Sequence, residues 1–497
     1  MTPSDGSLPP LSSLEAIDAL ALARLREHLA KIGLSPARLE PIVLAASSVH
    51  PLLRRPVLHY HARKVKDPMG PAARALMFGD PIDDAELTAA FGDLAGLVRE
   101  SGFVRETQRG FVSPFCVTVV DDFYLVSDDL SLGGQAVMGL APTTIALSIA
   151  AFPRQLIGRA LDLGCGAGAI ALVLAKRSRV VVATDINRRA LALAGFNARF
   201  NAVQNIDFRE GSLFEPVAKE RFDLVVSQPP FVPQSKGGKS GEFMAGGERG
   251  DALPLACLST LPDHLVPGGR GVVFIEWGHG PKETAPAERV KQTLAGAPVD
   301  LLVFQLPAGS GDAHAVEYAA ALHPDLGAAF EAETHDRREH LSRMGFEIMV
   351  PTLSILRRVD DRKPRSAVFS CAPFSQAPPN AKRIDKLLAA REVSASMEST
   401  LNAKLRMVEG VTLREEQTGP GAGVASRLWA VMPPSAMSEP IPLTPELMQL
   451  TGCIHESESV RAGIQAFVAQ YASEQAPDKL AIMVARALLD GLVELAD

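Results

Sequence analysis

The stretch from Arg159 to Phe231 limits the fold of this chain more than any other. It opens with Ala160-Leu161-Asp162-Leu163-Gly164-Cys165-Gly166-Ala167-Gly168-Ala169, an apolar run that stops at a glycine-rich turn and continues as helix through Ala175. Val180 to Asp185 is then a β-branched strand ending in an acid, about 20 residues after the first glycine, the spacing of a nucleoside-binding βαβ unit. Phe222 to Ser227 repeats the buried-strand pattern and runs into Gln228-Pro229-Pro230-Phe231. Glycine has no Cβ, so the backbone can turn sharply there and approach a ligand closely. An acid at a strand's carboxyl end can accept both hydroxyls of a ribose, and ligands of open α/β sheets sit outside those ends. The expected class is α/β.

These residues carry a family resemblance. Asp162-x-Gly164-x-Gly166-x-Gly168 with Asp185 resembles the S-adenosylmethionine (SAM) site of the class I methyltransferases. Ser227-Gln228-Pro229-Pro230-Phe231 resembles the Asn-Pro-Pro-Tyr/Phe signature of their amide- and amino-methylating branch. Gly246-Gly247-Glu248-Arg249-Gly250 and Leu265-Val266-Pro267-Gly268-Gly269 resemble later segments of the release-factor glutamine methyltransferases. The resemblance spans roughly Asp121 to Val359 and implies a Rossmann-like, seven-stranded class I methyltransferase sheet with SAM as cofactor. It implies cofactor contacts at Asp162, Gly164, Cys165, Gly166, Gly168, Asp185, Ile186, Asn187, Ser212, Leu213 and Ser227, with the chemistry at Gln228, Pro229, Pro230 and Phe231. A dinucleotide-binding reading fits less well, because a dehydrogenase gives no reason for the proline signature.

Two positions depart from the pattern. Gln228 stands where the family has Asn, Asp or Ser; its extra methylene carries the amide oxygen past the usual point or demands another rotamer and a recessed substrate. Ser212 stands where an acid usually touches the adenine amino group, so that contact falls to a backbone group or to Leu213.

At 497 residues the chain is long enough for about three domains. We expect a mainly helical, winged-helix-like substrate-recognition domain over 1–130, the methyltransferase domain over 131–360, and an α/β or winged-helix-like accessory domain over 361–497. In the first, Ser12-x-x-Glu15 reads as a capping box opening a helix that ends at Gly33. Ser35-Pro36 starts a second helix, and Asp84 caps a third from Ala85 to Ser101. Phe111 to Val120 and Phe123 to Val126 read as strands. Thr143 and Thr144 open a helix, where they either cap it or contact the methionine end of the cofactor. Later strands are read at Ile206–Arg209, Gly271–Ile275, Asp300–Gln305 and Phe346–Leu356, the last antiparallel. The loop over 231–251, with Lys236 and Lys239, is long enough for a lid. Glu276-Trp277-Gly278-His279 sits at a strand end. Beyond Asp361, helices are read at Ile384–Ala390, Val460–Ala472 and Leu480–Leu495, and strands at Arg406–Leu413 and Ser426–Val431; this module serves substrate docking or dimerisation.

Composition narrows the partners. A net charge of −7 gives no overall attraction to polyanions, which disfavours nucleic acid. The local exception is His59-Tyr60-His61 amid Arg54, Arg55, Arg63, Lys64 and Lys66, read as a solvated surface or a nucleic-acid patch; His59 and His61 share a direction if extended, with no third metal ligand. Cys116, Cys165, Cys257, Cys371 and Cys453 form no Cys-x-x-Cys pair, so neither a disulfide framework nor a metal site is expected and a reducing cytoplasm is the default. No apolar run approaches the ~18 residues that span a bilayer, and residues 1–10 lack a secretory pattern.

Methyl transfer from a sulfonium is an in-line displacement requiring no metal. An amide nitrogen has a delocalised lone pair, and acceptors such as the Gln228 oxygen and the Pro229 carbonyl would localise and aim it. Phe231 would stack on the planar group. The leading reading is therefore SAM-dependent methylation of a nitrogen in a protein, peptide or peptide-like secondary metabolite. Alternatives are an rRNA or tRNA base N-methyltransferase, an O-methylating natural-product tailoring enzyme, and an inactive SAM-binding regulatory protein. The oligomeric state stays open.

Overall fold

The computed structural model describes residues 7–47, 49, 53–133, 135–234, 244–360, 362–373, 376–417 and 426–496. Five helices begin the chain: α1 (Ala19–Lys31), α2 (Pro36–Ser47), α3 (Arg54–Lys64), α4 (Met69–Leu76) and α5 (Asp84–Phe91). Asp18 caps α1 through Ala21 N–H, and Ser12–Glu15 is a separate single turn with no side-chain cap. The expected capping box is therefore not there; it lies instead at Asp83, whose side chain accepts from Glu86 N–H while Glu86 reaches back. The cap thus falls one residue before the Asp84 expected to serve, and Asp84 is itself the first helical residue. The helix then breaks at Gly92, and the 95–100 turn forms separately.

A β-hairpin, β1 (Cys116–Val120) and β2 (Phe123–Ser127), leads through residues 135–141 into α6 (Pro142–Ala151). The parallel core follows: β3 (Ile157–Leu163), α7 (Ala169–Ala175), β4 (Ser178–Asp185), α8 (Arg188–Phe200), β5 (Ile206–Glu210), β6 (Phe222–Ser227) and β7 (Leu265–His279). β8 (Val299–Gln305), α9 (Gly311–Leu322), α10 (Ala328–Met344), β9 (Ile348–Arg358) and β10 (Ser366–Ser370) complete it.

Across the sheet the order is β10-β8-β9-β7-β6-β3-β4-β5, with the two-residue strand Gly309–Ser310 on β9. β9 runs antiparallel to both neighbours and every other pairing among these eight is parallel. The expected seven strands are present, but the sheet has nine. The extra edge strand β10 comes from residues beyond Asp361, which composition alone set apart from the sheet. Asp300 on β8 is fully buried, and Arg362 and Arg365 N–H bind its carboxylate. Phe369 stacks on Phe304 with ring centroids 5.2 Å apart. A buried charge with polar partners and an aromatic pair thus fix the edge strand.

The strands are apolar on both faces, as a sheet covered on both sides requires. The core under them continues into Ile384, Leu387 and Leu388 of the Ala381–Val393 helix. A second core joins the N-terminal helices to Leu172 and Val173 of α7 and to Leu193, Phe196 and Phe200 of α8. A third lies in the last hundred residues, where Thr412–Gln417, Ser426–Val431 and Ile441–Leu443 form an antiparallel sheet. The last helix there is Pro477–Asp490; Val493–Leu495, expected as its continuation, instead pairs with Leu405–Met407. Among the described residues, no helix is long and apolar enough to cross a membrane.

Candidate functional site

The glycine turn sits at the carboxyl edge of β3. Gly164 and Cys165 N–H both bind the Thr184 carbonyl at 2.9 Å, folding the turn against the end of β4. Gly164 has φ of +79°, and a Cβ there would meet nothing within 4 Å, so the bend faces open space at the rim. Gly168 has φ of +84°, and a Cβ would come 3.0 Å from that of Ala194, so glycine there lets α8 pack closely against the start of α7.

Asp185 ends β4 beside this turn. Its Oδ2 accepts Gly166 N–H and its Oδ1 accepts Asn187 N–H, both at 2.9 Å. The carboxylate is therefore held in one orientation by two backbone donors. Asn187 caps α8 through Arg189 N–H and donates Nδ2 to the Gln135 carbonyl. Ile186, between them, is 65% exposed, an apolar surface standing open at the rim. Across from it, Ser212 and Leu213 are half-buried after β5; Leu213 has φ of +45°, and Ser212 N–H bonds to Glu215.

Four of the expected cofactor residues, Asp162, Cys165, Gly168 and Ser227, lie inside the protein. Asp162 is 1% exposed and accepts Ala171 N–H at 2.8 Å, tying β3 to the first turn of α7. Burial, helped by the nearby Asp185 charge, pushes its carboxyl up to about 7 against that hydrogen bond. Ser227 is also buried and donates to the Leu163 carbonyl at 2.9 Å, locking the tips of β6 and β3 together. Cys165 is buried, and burial raises its thiol well above the ordinary range, so it is no thiolate nucleophile.

At the end of β6, Gln228 is half-buried and donates Nε2 to Thr143 Oγ1 at 3.0 Å. The longer side chain is thus drawn back onto the first turn of α6, and its oxygen is the acceptor end of the amide. Thr143 holds Gln228; Thr144 is buried in α6. Pro229 is buried, and Phe231 packs edge-on against Phe274 with centroids 5.9 Å apart. The lysines expected in the lid, Lys236 and Lys239, fall outside the described residues. Among those described, no group of three or more His, Cys, Asp or Glu is placed to hold a metal ion.

Sequence reasoning missed what supports the glycine turn. Asn197, fully buried on α8, accepts Val126 N–H and donates to the carbonyls of Val126 and Ala167, all at 2.9 Å. Asn201, one turn on, does the same for Tyr124. Two amides four residues apart at the carboxyl end of α8 were the available signal. Asp128, fully buried at its side chain, binds Arg189 and accepts Val137 N–H, which fixes residues 135–141 next to the turn. The basic run at 54–66 forms helix α3 rather than an extended segment. His59 and His61 therefore diverge, His59 binds the Phe78 carbonyl, and Arg63 is committed to Asp80.

Residues 143–244 match the family model of the methyltransferase small domain, from the Thr143 that holds Gln228 to the far side of the proline turn. The chain carries a class I methyltransferase domain. Its cofactor is S-adenosylmethionine. The methyltransferase domain is similar to the release factor glutamine methyltransferase of Xylella fastidiosa, 38% identical over 133 residues, which cover 24% of this chain and 48% of that protein. The enzyme of the same name from Geobacter sulfurreducens is 35% identical over 135 residues, 25% of this chain and 46% of that protein. The chain thus spans about half the length of these relatives. A ribosomal protein L11 methylase from Lactobacillus delbrueckii superposes at a TM-score of 0.25 and 21% identity, over 33% of this chain and 72% of that one.

Proposed function

We propose that this protein transfers the methyl group of SAM to a side-chain amide nitrogen of a protein, with glutamine as the acceptor residue. The observation that carries the reading is the Gln228 carboxamide, fixed by Thr143 at the tip of β6, two strands from the Asp185 carboxylate on the same rim of the sheet. The relatives named above, which methylate glutamine in release factors by name, support the same acceptor chemistry.

In this reading Asp185 takes the ribose hydroxyls, the open Ile186 side chain lies against the adenine, and the glycine turn passes under the methionine end. Asp162 and Ser227 act from inside, by holding the turn and the strand tips. Gln228 Oε1 and the Pro229 carbonyl accept the two N–H groups of the acceptor amide. Those bonds localise electron density on nitrogen and aim it at the methyl, which must stand about 3–3.5 Å away. With SAM bound, the N–CH3 bond would form as the S–CH3 bond breaks, the electron pair would stay on sulfur, and the nitrogen's proton would pass to solvent. The cofactor supplies the activated methyl; the protein's part is position and electrostatics. The proline pair restricts φ on both sides of the carbonyl and so stiffens it.

Incubation with methyl-labelled SAM and cell extract, followed by protease or nuclease, tests the acceptor class. Label released by protease and recovered on glutamine is the expected result. Label lost only to nuclease would overturn the reading.

A further inference from the structure

Glu276 lies near the carboxyl end of β7, three residues past Val273, which pairs with Ser227 at the end of β6. Side chains two apart on a strand share a face, so Glu276 points to the side occupied by Phe274, the ring that packs against Phe231 of the proline turn. Above it stands α9, which packs against Leu130–Leu132 at the start of the segment that crosses the glycine turn. From α9, His314 brings Nε2 to 3.3 Å from Glu276 Oε2. The imidazole is 94% buried by its 6% exposure, yet neither ring nitrogen has a hydrogen-bond partner among the described residues. The Tyr318 ring, 4.4 Å from it between centroids, walls the other side.

A buried polar group left without a hydrogen bond is destabilising, so an imidazole in that state beside the rim calls for a ligand. The pair offers a carboxylate acceptor and, one atom-spacing away, an imidazole able to donate. An extended residue presents the complement, its own N–H and C=O on the same side of the strand. We propose that Glu276 and His314 form a second polar subsite on the acceptor side, one that takes the backbone N–H and C=O of a residue flanking the methylated glutamine. The proposal rests on the protein-acceptor reading above and adds a determinant for backbone next to the reacting side chain.

The test uses the full chain saturated with S-adenosylhomocysteine and a fluorescein-labelled, capped heptapeptide with one central glutamine among alanines. Anisotropy titration gives its Kd, and methyl transfer from SAM to the same peptide is measured in parallel. Glu276→Gln keeps the shape and removes the charge; His314→Phe keeps the ring and removes both nitrogens. Each should weaken the peptide about tenfold and raise KM more than it lowers kcat, while calorimetry shows SAM affinity within twofold of the parent. Peptide affinity unchanged in both variants, or no peptide binding by the parent, overturns the subsite. Parent binding that both substitutions weaken, without any methyl transfer, upholds the subsite and instead sinks the glutamine-methylation reading. Having two variants guards against one failing to fold.

Discussion

Replacing Asp162 with Asn should flatten the pH dependence of this domain's stability. The carboxyl is fully buried under the glycine turn, and its pKa of about 7 compares with 3.8 for the exposed group. The folded state therefore holds its proton more tightly than the unfolded state. Between those two values the folded protein binds more protons, so its stability falls as pH rises from about 4 to about 7, then levels off. A gap of roughly 3 pKa units at 1.36 kcal/mol each amounts to about 4 kcal/mol, of which roughly 2–3 kcal/mol is lost between pH 5 and 8. Asn cannot ionise, but its side-chain oxygen can still accept the Ala171 N–H that Asp162 accepts at 2.8 Å. Urea unfolding at pH 5 and pH 8 measures the difference. Trp277, buried on β7, reports on this sheet by fluorescence once Trp429 is changed to Phe. Parent and Asp162→Asn curves that shift in parallel between the two pH values would refute the burial argument.

Four further outcomes follow from the site. Asp185→Ala should weaken SAM binding by roughly 1–3 kcal/mol by calorimetry, because the ribose hydroxyls lose a charged acceptor; unchanged affinity would place the ribose elsewhere. Gln228→Ala should spare SAM affinity and lower turnover by an amount on the order of 2–4 kcal/mol in transition-state stabilisation. Thr143→Val should move turnover in the same direction by less, since it only frees the amide that Thr143 holds at 3.0 Å. Asn197→Ala leaves three buried backbone groups unmet, at Val126 and Ala167, and should lower stability by roughly 3 kcal/mol in urea unfolding. An effect on the hairpin alone, with SAM affinity untouched, would mean that Asn197 does not support the glycine turn.

The sequence by itself determined the central βαβ unit, the order of chemistry along the rim and the helix starts marked by proline. Each of these depends on neighbours within a few residues: Gly164 to Gly168 as a turn, Asp185 as a strand end, Pro36 at a first helical position. It misjudged Ser12 and Glu15, because a cap pattern recurs by chance and only the packed helix, starting after Asp18, selects the real one. It left the conformation at His59 and His61 open, since α3 has little amphipathic pattern and takes its helical form against its neighbours. What the tertiary structure decided is how distant residues share burial. Asp162 and Asp185 belong to one motif, yet one carboxyl lies beneath the turn and the other at its open edge. Gln228 meets Thr143 across 85 positions, Asn197 reaches 71 residues back to Val126, and Glu276 meets His314 between a strand and a helix. Contacts of that separation leave no local periodicity, because packing of whole elements, not the chain's own geometry, brings their side chains together.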